Sequence, residues 1–200
     1  MNLKEYKKIW YSLIMAEEET NQENTQRYII PACELTENAV LDFLKRHNFN
    51  RTFPLNLIDL TKAINGFSIF YLVDKEEYKD IEAAIDTKHN FIAINARFKK
   101  SYLCGRYIIC KMIAHIALGH IPEGAMWTEP VESKRDEEDK RLNHVTASFA
   151  YELLMPEKDF KEQWTKLGHD IDKMSVYFGA SQTHILQRKC YLFKEGDNGC

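Results

Sequence analysis

Two segments of the chain carry side chains with which it could do chemistry. Residues 106–120 (RYIICKMIAHIALGH) place His115 and His120 in an apolar stretch, and residues 143–156 (NHVTASFAYELLMP) follow after a polar interval. Imidazole and carboxylate groups are the usual ligands of a hydrolytic zinc ion. Such a site needs two histidines one helical turn apart, a glutamate beside the bound water and a third ligand.

Most of the residues that a zinc site requires are absent from these segments. The position one turn before His115 is Lys111, whose ammonium has three donors and no lone pair for a metal. A lone imidazole cannot hold a catalytic zinc ion, which takes three protein ligands.

The remaining histidines do not complete a site by their spacing. Five residues along a helix correspond to about 140°, so we expect His120 not to share the face of His115. His120 is then expected at the helix C-terminus, where the helix dipole favours it. A rebuilt site from His115, His144 and Glu152 is an alternative, but we expect Glu152 to point outward from its helix.

Two central helices are predicted to position these side chains. Apolar residues from Ser101 to His120 cover nearly the whole circumference of a helix, which is typical of a buried element. Residues 121–134 contain two prolines and a glycine and are expected to form a loop. Helical spacing resumes at 135 and halts at Pro156. The two helices should therefore face each other across the loop.

A small sheet is predicted upstream of the central helices. Residues 54–65 favour a helix that stops at Gly66, and residues 67–73 (FSIFYLV) favour a strand. The runs 81–85 and 91–94 flank a polar turn and indicate an antiparallel hairpin, although the alanine-rich run 81–85 is also compatible with a helix. The sequence thus predicts an α+β fold with a small, mostly antiparallel sheet packed on two central helices and helical additions at both ends.

The chain divides into three predicted parts. We expect an amphipathic helix and linker over residues 1–27, a main domain over 28–160, and a helical, helix-turn-helix-like region over 161–200 with a disordered end. Tail helices are expected at 157–167, 170–178 and 181–192. We expect this tail to pack against the main domain.

The two chemical segments resemble the ImmA/IrrE family of zinc metallopeptidases. In that family a helix of the pattern (R)(F/Y)xxAHExxHxxLGH supplies two ligand histidines and a general base, and a later helix ending FAxxLLMP supplies a carboxylate ligand. Phe149, Ala150 and Leu153–Pro156 fall in register with the second pattern. The resemblance covers about residues 30–192 and implies a zincin-like metallopeptidase scaffold.

The resemblance also indicates which residues of the site have changed. It places the family's two histidines and its general base at Lys111, His115 and Met112, and its glutamate ligand at Asn143 or Val145. Only His115 is of the matching type, so we expect a degenerate site with no catalytic residues, no metal ligand set and no zinc cofactor. We hypothesise that the Lys111 ammonium lies where zinc would sit, with His115 as acceptor and Met112 and Val145 filling the space; the alternative is that Lys111 extends to the cleft surface.

The resemblance implies a regulatory role in the cytoplasm. Family members typically cut helix-turn-helix repressors, often in mobile elements, so an inactive relative is expected to bind a protein partner, such as a transcriptional regulator, without cleaving it. Trp127 is the candidate partner contact, because aromatic residues near a cleft are common binding hot spots. The alternatives are a zinc metallopeptidase with an unconventional ligand set and a DNA-binding regulator that uses the tail helices.

The composition disfavours several other classes of protein. A net charge of −3 over 200 residues gives no general positive field for nucleic acid. The mixed charges of residues 132–141 are typical of a solvated helix start. Nucleic acid is therefore not the expected partner. No apolar run approaches the roughly 20 residues that span a bilayer. Five scattered cysteines without CxxC spacing predict reduced thiols, as in the cytoplasm.

Overall fold

The computed structural model describes residues 37–72 and 75–193. All of them lie in one compact unit that spans residues 32–200. The predicted N-terminal helix and linker, residues 1–27, and the predicted disordered end lie outside the described residues. The division of the chain into three parts therefore stays a prediction.

The helices begin and end within a few residues of the predicted points. They are α1 Glu37–Arg46, α2 Leu57–Ala63, α3 Tyr102–Ala117, α4 Glu137–Leu154, α5 Glu157–Lys166, α6 Ile171–Phe178 and α7 Gln182–Leu192. Side-chain caps fix several of the starts, since Asp136 and Asp139 form a capping box on α4 and Ser181 accepts a hydrogen bond from the backbone of His184 on α7.

The sheet has four strands in the described part of the chain, in the order β1-β3-β2-β4. The strands are β1 Ser68–Tyr71, β2 Ile81–Asp86, β3 Phe91–Ile94 and β4 Met126–Pro130. β2 pairs antiparallel with both β3 and β4, whereas β1 pairs parallel with β3. The predicted hairpin and mostly antiparallel sheet are confirmed, and the alanine-rich run is a strand rather than a helix.

The strand β4 corrects the prediction of a loop over residues 121–134. Its five residues end at a proline and contain too short a pattern to indicate a strand on their own. Pairing with β2 supplies the backbone partners that make this segment extended. β4 lies at one edge of the sheet and β1 at the other.

The central helix α3 is enclosed by the sheet on one side and by α4 on another. Its residues from Gly105 to His115 are all buried. Apolar side chains of α4, including Phe149 and Leu153, belong to the same core cluster. The predicted pair of facing central helices is confirmed.

Two buried arginines attach the tail helices to the rest of the fold. Arg106 on α3 donates to the backbone oxygens of Gly179 at 2.7 Å and of Leu55 at 2.6 Å. Arg188 on α7 donates to the Met155 oxygen at 3.0 Å and pairs with the carboxylate of Glu152. The tail packs against the main domain as expected, but Glu152 is 6% exposed and does not point outward.

Gly179, at the C-terminal end of α6, is a position where we expect a large effect from one added methyl group. Its φ is +63°, and a Cβ there would lie 2.9 Å from Pro54 Cβ and 3.0 Å from Arg106 Nε. Gly179→Ala should therefore lower the free energy of unfolding. The left-handed conformation of a non-glycine residue costs roughly 1–2 kcal/mol, and the close contacts cost about 1 kcal/mol or more. Urea unfolding measures the loss.

Gly168 provides the matched control for that substitution. Its φ is +67°, but an added Cβ would have no neighbour within 4 Å. Gly168→Ala should lose only the conformational part. Equal losses in the two variants would contradict the contact between Gly179 and Arg106.

The described helices and cysteines bear on two further expectations. None of the helices that the structure describes combines the length and apolarity needed to cross a membrane. Cys104 and Cys110 are free thiols, as predicted. Cys190 on α7 is disulfide-bonded, so the prediction that all cysteines are reduced is wrong for this residue.

Candidate functional site

The side chain of Lys111 is buried at the centre of the fold. It is 2% exposed, and its Nζ lies 2.8 Å from Oε1 of Glu129 on β4 and 3.6 Å from Oε2 of Glu82 on β2. The alternative in which Lys111 extends to the cleft surface is therefore wrong. The ammonium lies in the interior, and a carboxylate, not His115, accepts its hydrogen bond.

Glu129 connects Lys111 to His115. Its Oε2 lies 3.1 Å from Nε2 of His115, which is fully buried, so one carboxylate bridges the two positions one turn apart on α3. Burial by itself raises the pKa of the Glu129 carboxyl, but the His115 hydrogen bond and the Lys111 charge outweigh it and lower the pKa to about 2. Glu129 is thus a carboxylate throughout the ordinary pH range.

A second carboxylate and an arginine complete this group of charges. The β2–β4 pairing is irregular at Glu82, and such irregularities redirect a side chain. The Glu82 carboxylate lies 2.9 Å from Arg135 and 3.2 Å from Arg97. Arg135 also lies 3.4 Å from Glu129. We call the following residues the ion cluster: Lys111, His115, Glu129, Glu82 and Arg135.

Arg135 contradicts part of the prediction made for the charged run 132–141. Its side chain is largely buried and pairs with both carboxylates of the ion cluster. Two lysines of this run have the surface contacts expected of a solvated face, since Lys134 and Lys140 pair with exposed carboxylates. Burial of a guanidinium requires paired acceptors, and only the folded sheet brings those acceptors to Arg135.

His120 lies against His115, contrary to the helical-rotation argument. The two Nδ1 atoms are 3.2 Å apart, and the His120 ring packs edge-on to the His115 ring. The argument fails because α3 ends at Ala117 and the chain reverses at Gly119, which has a φ of +68°. Burial lowers the pKa of His120 to about 4, with a further lowering by His115 and an opposing effect of Glu129.

Trp127 lies on β4, two residues before Glu129, on the same side of the strand. It is half-buried, and its ring centroid lies 5.3 Å from that of His115. Its indole Nε1 is buried and has no hydrogen-bond partner. Trp127 is therefore part of the wall of the ion cluster, and its role in partner binding stays a prediction.

The other predicted site positions do not converge on the ion cluster. Met112 is fully buried in the core, whereas Asn143 and Val145 are half-buried on α4. His144 is exposed, and Glu152 pairs with the distant Arg188. The rebuilt site from His115, His144 and Glu152 is thus wrong. Whether position 143 or 145 matches the family's carboxylate stays open.

The residues present do not fit a zinc ion. No group of three His, Cys, Asp or Glu side chains within the described ranges is arranged to hold a metal. The Lys111 ammonium, which lies one helical turn from His115, already neutralises Glu129 at 2.8 Å. The donor set at this place is that of an ion pair, and we derive no chemistry through a metal.

Sequence reasoning missed three of the five members of the ion cluster. Glu129 and Arg135 lie in segments that were predicted as a loop and a solvated helix start. Glu82 had a signal, because a charged residue inside a short apolar strand indicates a buried partner. For Glu129 the only signal was its spacing of two residues from Trp127, which places both side chains on one face of a strand.

The pKa values of this region predict a fall in stability on acidification. Burial, with a contribution from Lys111, also lowers the pKa of His184 to about 4. His184 and His120 are neutral in the fold and take up protons on unfolding, so the free energy of unfolding should decrease as the pH falls from about 6.5 towards 4. Each group contributes at most about 1.4 kcal/mol per pH unit.

Glu129 should add to the same loss at lower pH. Its carboxyl is held near a pKa of about 2 in the fold against 4.5 ordinarily, so its stabilisation is complete above 4.5 and is lost as the pH falls towards 2. Urea unfolding at a series of pH values measures both parts. His120→Gln should reduce the loss of stability between about pH 6.5 and 4. His144→Gln, at an exposed position, should leave the pH dependence unchanged. Identical profiles for the two variants would contradict the contribution of His120.

The fold and the site together define the class of the protein. A four-stranded sheet packed on two facing helices is consistent with a zincin-like metallopeptidase scaffold. The family model described as the IrrE N-terminal-like domain, a peptidase family, matches residues 65–188. The chain belongs to this family, and the predicted resemblance is confirmed.

A solved structure supports the fold assignment. That of a Mycobacterium tuberculosis transcriptional regulator aligns with a TM-score of 0.53 at 15% identity, over 82% of this chain and 49% of the other. At this identity the likeness concerns the fold alone, and the present chain spans about half the length of that structure. A comparison with curated proteins returned no match.

Proposed function

We propose that this chain is a metallopeptidase-like regulatory protein that binds a protein partner in the cytoplasm without cleaving it. The observation that carries the proposal is the buried ammonium of Lys111, fixed by Glu129 at 2.8 Å. The resemblance assigns a family zinc ligand to this position. The Lys111 side chain cannot bind a metal as an ammonium, because it then has no lone pair. Met112, in place of the general base, removes the second requirement of the reaction.

The intact frame supports a retained binding role. The core around α3 and α4 is fully formed, and the charges of the ion cluster are paired with one another. Burying so many charges is costly unless each has a partner, so this arrangement is a specific internal structure and not a damaged site. A protein that keeps the scaffold of a repressor-cutting family is suited to bind the same kind of regulator.

A protein partner fits the described surface better than nucleic acid does. Lys173, Arg188 and Lys189 are the lysines and arginines between residues 173 and 189 of the predicted helix-turn-helix region. Arg188 is buried against Glu152, and Lys173 pairs with Asp170. This leaves too little positive charge on α6 and α7 for backbone neutralisation of DNA.

The test of inactivity is the metal content of the purified protein. Protein prepared without chelator should contain far less than one equivalent of zinc, and excess EDTA should leave its melting temperature unchanged, because the site lacks the roughly 10 kcal/mol or more that a closed zinc site supplies. Mass spectrometry of the metal and differential scanning calorimetry give the two values. A stoichiometric, chelator-sensitive zinc ion would refute the proposal.

The test of binding uses purified helix-turn-helix repressors as probes. Titration calorimetry against a panel of such repressors should give a saturable complex with at least one of them, and intact-mass spectrometry after prolonged incubation should find that repressor uncleaved. Casein serves as the probe for general peptidase activity and should remain intact. Cleavage of the bound repressor, abolished by EDTA, would favour an enzyme with an unconventional ligand set.

A further inference from the structure

The positions that correspond to the family's zinc site are not accessible in this fold. Lys111 and His115 are 2% and 0% exposed. The segment that covers them is residues 120–135, which includes β4 and which we call the strap. A partner that reaches Lys111 and His115 from the side of β4 must therefore displace the strap.

The strap is held mainly by the pairing of β4 with one neighbouring strand and by ion pairs. β4 pairs with β2 only, as the edge strand of the described sheet. Outside that pairing the strap is anchored by Thr87, whose hydroxyl donates to the oxygens of Pro122 and Ala125. It is also anchored by Asp80, whose backbone oxygen accepts from the Val131 N–H, and by Glu82, which pairs with Arg135. The Glu129 carboxylate links it to α3 through Lys111 and His115. Removal of this carboxylate would remove the ion pairs between the strap and α3.

The strap is also the part of the fold with incomplete hydrogen bonding. Within the described residues, the buried side-chain nitrogens without a hydrogen-bond partner are His120 Nε2, Trp127 Nε1 and Arg135 Nε. All three lie in the strap. A buried polar atom without a partner destabilises the closed arrangement relative to one in which water or another molecule reaches that atom. These atoms therefore favour displacement of the strap.

We infer that the strap is a displaceable strand and that an extended acidic peptide of a protein partner binds in its place. This inference rests on the proposed function, since it specifies what the partner presents. With the strap displaced, the edge of β2 offers unpaired backbone groups to an incoming strand. The Lys111 ammonium and His115 then need a carboxylate in the position of Glu129.

The strap itself describes the chemistry of the peptide. Trp127 and Glu129, two residues apart, share the face of β4 that meets α3. The aromatic ring lies against His115, and the carboxylate lies between Lys111 and His115. A competing segment would be extended and would carry an aromatic side chain two residues before an aspartate or glutamate. The anion is the specific element, because a neutral residue would leave the Lys111 ammonium with only the more distant Glu82 carboxylate, at 3.6 Å, among its described partners.

Hydrogen exchange of the natural chain tests displacement directly. Amides of β4 that bond to β2 should exchange at least tenfold faster than those between β2 and β3, because they open locally without global unfolding. Glu129→Gln should increase the β4 rate at least tenfold further and leave α7 unchanged. Glu162→Gln, which removes an exposed carboxylate of α5, is the matched control and should have no effect on β4. Equal protection of β4 and β3 would overturn the inference.

A synthetic peptide tests what replaces the strap. A fluorescent peptide of residues 124–132 (GAMWTEPVE) should bind the Glu129→Gln chain tightly. A copy of the peptide with glutamine at the position of Glu129 should bind that chain at least tenfold more weakly, since a charged hydrogen bond is lost. The natural chain, with its own strap in place, should bind at least tenfold more weakly than the variant. Equal affinity for the two peptides, or no binding to a folded variant, would overturn the inference.

These results are independent of the test of the proposed function. Zinc binding or repressor cleavage by the natural chain would refute inactivity and leave the exchange and peptide results standing. Should Glu129→Gln fail to fold, the exchange rates of β4 and β3 in the natural chain still decide the inference.

Discussion

Lys111→Met should lower the free energy of unfolding by about 3–5 kcal/mol. The substitution keeps the length and volume of the side chain but leaves the buried Glu129 carboxylate without the ammonium at 2.8 Å. Removing one partner of a buried ion pair is much more destabilising than removing an exposed charge, because the other charge stays desolvated. If Lys111 lacked a carboxylate partner, the same change would be tolerated or mildly stabilising. Urea unfolding at pH 7 measures the loss.

Two further variants identify the cause of that loss. Lys111→Met combined with Glu129→Gln removes both charges and should be less destabilised than the sum of the single changes, with a coupling of about 1–3 kcal/mol. Lys161→Met removes an ammonium of α5 that pairs with Glu157 at 2.6 Å on the exposed surface, and it should change the stability by less than about 1 kcal/mol. A tolerated Lys111→Met would mean that the ammonium is not paired in the interior.

Lys111→His should convert the ion cluster into a zinc site. Positions 111 and 115 lie one turn apart on α3, about 40° from each other around the helix axis, so two imidazoles there face one ion. Glu129 already lies within 3.1 Å of both side chains and would supply the third ligand from β4. We expect about one equivalent of zinc, and an increase in melting temperature that excess EDTA reverses.

The control for this design tests whether the third zinc ligand is Glu129 or a glutamate at position 143 or 145, as the family comparison implies. Lys111→His with Glu129→Gln should lose the zinc, and adding Asn143→Glu or Val145→Glu with Met112→Glu should restore it if α4 faces the site as in the family. X-ray absorption should find three N/O protein ligands. Failure of every folded variant to take up zinc would contradict the placement of α3 against both β4 and α4. Peptidase activity need not return, since small errors of substrate position cost about 100-fold in rate.

The sequence determined the scaffold and the side chains that its central helices carry. The periodicity of α3 and α4, the hairpin of β2 and β3, and the caps at Asp136 and Ser181 are local signals, because they depend on residues close together in the chain. The identity of Lys111 is also a local fact, since an ammonium cannot be a ligand whatever surrounds it. Family membership and the expected degeneracy of the site could therefore be read before any coordinates.

Only the tertiary structure decided what surrounds Lys111. Glu129 and Glu82 reach it from β4 and β2, and Arg135, from the segment before α4, pairs with both carboxylates. No spacing in the sequence joins these elements. The strand β4 exists because β2 offers it backbone partners, which is a long-range condition. His120 meets His115 because α3 stops early and the chain turns at a left-handed glycine, so the rotation that the helical pattern implies does not apply. Pairing of buried charges depends on which distant elements meet, and the sequence alone does not specify that meeting.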